Sequence, residues 1–319
     1  MSEAARPSSR IPWLRAVSVG FMLAGLVFCV VTLSKVGLEQ YRNLLQPALL
    51  GCLALATAAV LIASTLAWRE YFRAVSACRL TFADAFYQIA IVLIGKYVPI
   101  ILGGVLARVG ANVSRTSAST VIAATILEQC GGLATGAAVA VGFLAWWASP
   151  AAGVAVALVA VAMAAIAPHV AGPAIGFMHR LRMWIRRGDD VHVASIEPGP
   201  VRAAWLAQLS EWISLTVFAA LIVLGLRPDI ETSQIVFLIG AFLLAVVFGT
   251  AAFMFPGGIG AREAAFVWMA GRVVGYDTAL VMATSLRIAM TGIDLVAGVG
   301  CLLYGLTHAS SAISASRRR

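Results

Sequence analysis

The chain has 319 residues, of which 61% are hydrophobic and 12% charged, with a formal net charge of +9. A soluble domain carries about 25% charged residues, and a mean hydropathy of +0.94 places most of this chain in a bilayer instead. No stretch between its apolar runs has room for a conventional soluble catalytic domain. The basic excess is almost all Arg and sits at the ends of apolar runs, so membrane orientation and anionic headgroups account for it better than nucleic acid.

Apolar runs of the roughly 20 residues needed to span hydrocarbon recur near 14–35, 46–68, 82–107, 118–147, 150–168, 201–226, 233–255 and 279–307. They predict an all-α polytopic membrane protein of about 7–8 transmembrane helices, with two broken or re-entrant elements. Residues 1–15 form a polar tail carrying Arg6, Arg10 and Arg15, expected on the cytoplasmic side. The apolar run that follows exceeds a signal core and lacks a small-x-small cleavage site, so it reads as a retained first helix. With that start, Arg69, Arg73 and Arg79 fall in a cytoplasmic loop, as the positive-inside rule requires.

The run at 82–107 is interrupted by Gly95-Lys96-Tyr97-Val98-Pro99 and by Gly103-Gly104. A plain crossing would put the later Arg180, Arg182, Arg186 and Arg187 outside. A segment that enters and turns back keeps them inside, and this re-entrant hairpin is the favoured reading. Phe177, Met178, Leu181, Trp184 and Ile185 share one helical face opposite those Arg residues. That pattern suits a helix in the headgroup plane, and equally a basic linker. The polar stretch 189–199 reads as a hinge between halves 16–188 and 200–308 of one transmembrane domain. A basic tail at 309–319 follows, and its preference for the cytoplasm would require an even number of crossings.

The halves share one local pattern. Gly103-Gly104-Val105-Leu106-Ala107-Arg108 and Gly257-Gly258-Ile259-Gly260-Ala261-Arg262 both read GG-x-x-A-R, each after an apolar run broken by a proline, Pro99 or Pro256. Broken helices at corresponding places in two repeats mark binding sites in transporters; chance in a Gly- and Ala-rich chain is the competing explanation.

The second break, Phe255 to Glu263, carries the most chemistry. A helix starting after Gly258 presents free N–H groups and the positive end of its dipole to an anion. Glycines at 257, 258 and 260 allow close backbone approach, and Arg262 can add a bidentate contact. Glu263 either complements the dipole or neutralises Arg262. An ordinary loop with an Arg–Glu pair is the plainer account. Lys96 is one of only two lysines, and an ammonium at membrane depth is usually functional or paired. Arg108 and Arg115 serve either this site or anchoring at the membrane face.

Glu128, Glu211, Arg287 and Asp294 lie in otherwise apolar runs as an intramembrane charge network. Arg287 and Asp294, seven apart, share a helix face about 10 Å apart along the axis, so each needs a partner elsewhere; Glu128 or Glu263 is expected for Arg287. Structural ion pairing and a proton relay are the two roles open to this network. The five cysteines and four histidines show no ligand spacing, so neither a disulfide, a metal nor a cofactor is expected.

These residues resemble the flippase-like family related to the membrane domain of lysylphosphatidylglycerol synthases. The likeness rests on Gly95 to Pro99 with the Gly-Gly pair and Arg108, and on Phe255 to Glu263. It continues through Ala264-Ala265-Phe266, Gly275, Ala283 to Arg287 and Asp294, over roughly residues 15–307. Ile100 and Ile101 stand where similar proteins often carry a glycine. The resemblance implies a multi-pass protein of the bacterial inner membrane that moves a polar-headed lipid between leaflets. Anionic phospholipids, glycolipids and polyprenyl-phosphate sugars are the expected partners, with a glycosyltransferase or lipid-modifying enzyme as a possible protein partner. Synthase activity resides in a separate soluble domain in that family, so no enzymatic role is expected here.

The leading expectation is therefore translocation of an anionic lipid or lipid-linked sugar. Its head would be held by Lys96, Arg108 and Arg262, with Tyr97, Pro99, Gly103, Gly104, Pro256, Gly257, Gly258, Gly260 and Glu263 shaping the site. The alternatives are a secondary transporter of a small anion and a non-transporting partner of a glycosyltransferase or lipid-modifying enzyme.

Overall fold

The computed structural model describes residues 42–76, 78–95, 103–112, 116–185, 196–251, 258 and 260–316, with side chains left out at 103, 172, 174–185 and 301–316. The predicted first span near 14–35 lies outside them. The described residues form α1 (Pro47–Val75), α2 (Phe82–Gly95), α3 (Gly103–Asn112), α4 (Ala118–Ala148), α5 (Pro150–Ile185), α6 (Pro198–Leu226), α7 (Thr232–Ala251), α8 (Ala261–Val274) and α9 (Tyr276–Ser316). Six of these hold apolar stretches long enough to cross a membrane: α1, α4, 150–171 of α5, α6, α7 and 276–300 of α9. The chain is thus an all-helical polytopic membrane protein.

Local sequence sets the helix starts. Pro47 and Pro198 occupy first-turn positions, where the missing N–H costs nothing and φ is already helical. Ser117 caps α4 by accepting from the Thr120 N–H at 3.3 Å. Ser149 ends α4 and Pro150 begins α5 at once, which gives two neighbouring helices of opposite direction.

In lipid, helices associate through close packing and polar contacts rather than through hydrophobic exclusion. Gly131 and Gly136 of α4 leave room for Tyr71 of α1 and for Gln208 and Trp212 of α6. Leu44 and Leu49 pack onto Gly225 near the end of α6, while the Glu197 N–H donates to the Ala74 carbonyl at 3.1 Å. These contacts run in opposite order along the chain, so α1 and α6 are antiparallel along their full lengths. Large apolar side chains such as Leu55, Leu158, Ile213, Phe248 and Val296 face outward, as a lipid-facing surface requires.

The apolar core does not divide at the 189–199 stretch. One cluster joins Trp68, Phe72, Ile89, Val121 and Leu127 to Val201 and Ala204 at the start of α6. Another joins Leu44, Ala56 and Ala140 to Phe218, Phe242, Phe266 and Leu286. Each draws on both sides of the expected hinge, and α6 contributes to both.

Candidate functional site

The first break is a hairpin. A Cβ added to Gly104 of α3 would stand 3.3 Å from the Val92 side chain of α2, while Asn112 exchanges hydrogen bonds with Gln88. Advancing along α3 therefore means retreating along α2. Their 14 and 10 residues correspond to about 21 and 15 Å at 1.5 Å per residue, short of the roughly 30 Å hydrocarbon core. Two short helices returning on each other match the re-entrant reading of 82–107 rather than a single crossing.

The second break is a hairpin of another kind. Arg262 of α8 packs its Cβ against Gly249 of α7, 3.0 Å from where a glycine Cβ would stand. Further on, Phe266 meets Phe242 edge-on with ring centroids 6.3 Å apart. Here a full-length α7 of 20 residues is followed by a short α8 of 14. Gly258 (φ 67°) and Gly260 (φ 84°) adopt the left-handed region that favours glycine. Gly258 is also pressed against the Gly249 backbone, where an added Cβ would meet the carbonyl oxygen at 2.8 Å.

Both hairpin ends converge on one face of α9. Near the start of α8, Glu263 Oε1 lies 3.7 Å from Arg287 Nη1, and Arg262 Nη1 lies 3.6 Å from Met290 Sδ. Near the end of α2, Ile94 and the Ala90 carbonyl abut Gly298. Positions 287, 290, 294 and 298 recur at helical spacing on one side. From Met290 to Gly298 is about 12 Å of axial rise, and buried Asp294 lies between them. Glu263 also accepts from the Gly260 N–H at 2.7 Å through Oε2. It thus caps its own helix while facing Arg287, one of the two roles expected of it. The alternative partner considered for Arg287, Glu128, is taken elsewhere.

Arg108 of α3 makes a bidentate pair with Glu128 of α4, through Nη1 to Oε2 and through Nη2 to Oε1 at 3.1 Å. It is 1% exposed, and its guanidinium lies 3.7 Å from the centroid of the Trp68 ring. Around it runs a lattice of neutral groups. Trp68 Nε1 donates to Gln88 Oε1 at 3.0 Å, and Asn112 Nδ2 donates to the Arg108 carbonyl at 2.8 Å. Gln208 Nε2 donates to the Glu128 carbonyl at 2.8 Å, while Tyr71 OH donates to Gln208 Oε1 at 2.7 Å. Sequence reasoning passed over Trp68, Tyr71, Gln88, Asn112 and Gln208 because it searched apolar runs for charge. Uncharged amides in the same runs were the available signal.

Arg108, expected to meet a headgroup, is therefore closed on Glu128 in this conformation, and a phosphate would have to displace that carboxylate. Arg262 and Arg287 are the guanidiniums at the α9 face. Gly104 belongs to the packing of the first hairpin, and Gly103 begins α3. Lys96, Tyr97, Pro99, Arg115, Pro256 and Gly257 lie outside the described residues.

A family model described as the lysylphosphatidylglycerol synthase TM region matches residues 15–298. The chain belongs to this family. The match spans both hairpins and the α9 stripe from Arg287 to Gly298, so the geometry above is that of a lysylphosphatidylglycerol synthase TM region. None of the curated proteins matches the chain.

Proposed function

We propose that this membrane domain moves an anionic lipid, or a sugar carried on a lipid phosphate, from one leaflet of the bacterial inner membrane to the other. The observation carrying this reading is the meeting of two helical hairpins on the Arg287–Met290–Asp294–Gly298 face of α9, inside a bundle whose outer surface is apolar. Tails would remain against that outer surface, while the head passes the hairpin ends. Arg262 and Arg287, with Lys96 from the other break, supply positive charge for it. Glu263 holds Arg287 until a phosphate takes its place, a charge-assisted exchange of one anion for another. On this reading the N-terminus is cytoplasmic, the domain makes and breaks no covalent bond, and its partners are the lipids themselves, with the enzyme that makes or uses them close by.

The test is leaflet exchange in vesicles containing the purified full chain and phosphatidylglycerol labelled on an acyl chain, with chemical quenching of the outer leaflet. Protein-containing vesicles should lose signal beyond half, and Arg262→Ala should slow this about tenfold, equivalent to about 1.4 kcal/mol. Rates equal to protein-free vesicles for phosphatidylglycerol, a glycolipid and a polyprenyl phosphate alike would sink the idea.

A further inference from the structure

One amide on α4 belongs to neither ion pair nor to the lattice around Arg108. Gln129 is exposed and forms no hydrogen bond among the described residues. From Ala118 at the start of α4 to Gln129 is about 17 Å, and from Gln129 to Ala148 at its end about 29 Å. Both distances place it well inside a hydrocarbon core of roughly 30 Å. Its side chain carries an acceptor oxygen and a donor nitrogen, and lipid tails satisfy neither.

Its surroundings follow from the packing of α7 along α4. Trp147 meets Phe237 with ring centroids 4.8 Å apart, and Leu144 covers Gly240. The two helices are therefore antiparallel, three residues on one matching three on the other. On that register Ala251, the last residue of α7, comes level with Leu133, and Gln129 lies one turn beyond it. Gln129 is also five full turns of 3.6 residues from Trp147, so it is on the side of α4 that α7 covers further along. Its neighbour Glu128 holds Arg108 of the first hairpin. Gly249, against which Gly258 and Arg262 of the second hairpin pack, is level with a point about 9 Å along α4 from Gln129. The amide thus stands between the two hairpins. Ile122 and Ile126 continue the same side toward the start of α4 and are partly exposed.

We propose that Gln129 reads the headgroup, its amide hydrogen-bonding to hydroxyls that a lipid carries beyond its phosphate. The proposal rests on the translocation reading and adds to it the chemistry that the site prefers. A phosphate oxygen only accepts and would leave the amide oxygen unpaired. A hydroxyl both donates and accepts, as the amide does. Ile122 and Ile126 offer an apolar wall to the chain attached to such a head. The ligand class is a phospholipid bearing glycerol or a sugar on its phosphate.

Native mass spectrometry of the full chain reads lipid binding without requiring transport. Phosphatidylglycerol, and a phosphatidyl lipid with a sugar on its phosphate, each compete with phosphatidylmethanol, which has the same charge and no hydroxyl. The wild type should retain a hydroxylated lipid about fivefold in preference, the worth of one hydrogen bond, and the better of the two names the source of the hydroxyls. Gln129→Leu should erase the preference, while Gln129→Asn should keep part of it. In a variant whose five cysteines are replaced by Ala, Gln129→Cys should react with a water-soluble, membrane-impermeant maleimide, as a lipid-facing position would not. This labelling decides if Gln129→Leu does not fold. No preference in the wild type, a preference that survives Gln129→Leu, or an unreactive Gln129→Cys overturns the proposal. A preference lost in Gln129→Leu, with wild-type leaflet exchange no faster than in protein-free vesicles, would sink translocation and leave the binding site standing.

Discussion

The two hairpins solve one problem in opposite ways. Each brings a short returning helix against a long one and sets an acid and a base between them. In the first, the base is on the short helix (Arg108) and the acid on the long one (Glu128); in the second the order is reversed, Glu263 on α8 facing Arg287 on α9. The first pair is bidentate, stacked on Trp68 and enclosed by amide hydrogen bonds. The second is a 3.7 Å contact beside a turn of left-handed glycines. Both pairs are buried, but the first is held at two points and the second by one longer contact. The GG-x-x-A-R repeat therefore marks matching positions without matching roles.

The largest effect should come from opening the closed pair. Arg108→Ala leaves Glu128 buried without its cation, a change of about 3–5 kcal/mol, read as a lowered unfolding midpoint in detergent. Replacing both residues, Arg108→Met with Glu128→Leu, should recover much of that loss. A double variant as unstable as the single one would break the picture of a pair that is costly only when halved. Next comes the turn chemistry. Gly258→Ala combines positive φ with a backbone clash and should cost about 2–3 kcal/mol, against about 1 kcal/mol for Gly260→Ala, whose Cβ would enter open space. Gly104→Ala, within helical geometry and beside a single valine, should be close to neutral in the same assay.

Glu263→Gln sharpens the contrast between the pairs. It keeps an oxygen to cap Gly260 but removes the charge facing Arg287, and should cost about 1–2 kcal/mol, well below Arg108→Ala. Equal losses would mean the two pairs differ in distance only. The smallest effect is expected outside the bundle, where Arg227 grips Asp229 through two 3.0 Å hydrogen bonds. That grip holds the Asp229 carboxyl below its usual range. Its contribution is present at neutral pH and fades as pH falls through the lowered value. The pair is exposed and screened, so Asp229→Asn should leave the midpoint at neutral pH unchanged and alter only its acid dependence.

The spans were legible because an apolar run of sufficient length has few other uses, and the hairpins because Gly and Pro cannot continue a helix in lipid without help. Gly103-Gly104 and Gly257 to Gly260 thus announced the breaks. What these residues could not announce is where each side chain closes. Arg108 and Glu128 are 20 residues apart, and only the return of α3 beside α4 brings them together. Arg108 therefore looked available to a headgroup. The polar lattice was hidden for another reason: Gln88, Asn112 and Gln208 bear no charge, and their partners lie on helices distant in sequence. The expected hinge at 189–199 is polar, but packing of α6 along α1 joins what its composition separates.

That packing also sets what is free to move. α1 and α6 are pinned at one end by Leu44 and Leu49 on Gly225, and at the other by the bond from Glu197 to Ala74, with Tyr71 and Gln208 between. The two helices form a strut. Any cycle this protein performs has to be accommodated by parts hung on it, as a door turns while its post stays fixed. A covalent staple between α1 and α6 should therefore be silent, while one joining the start of α8 to α9 should arrest the cycle.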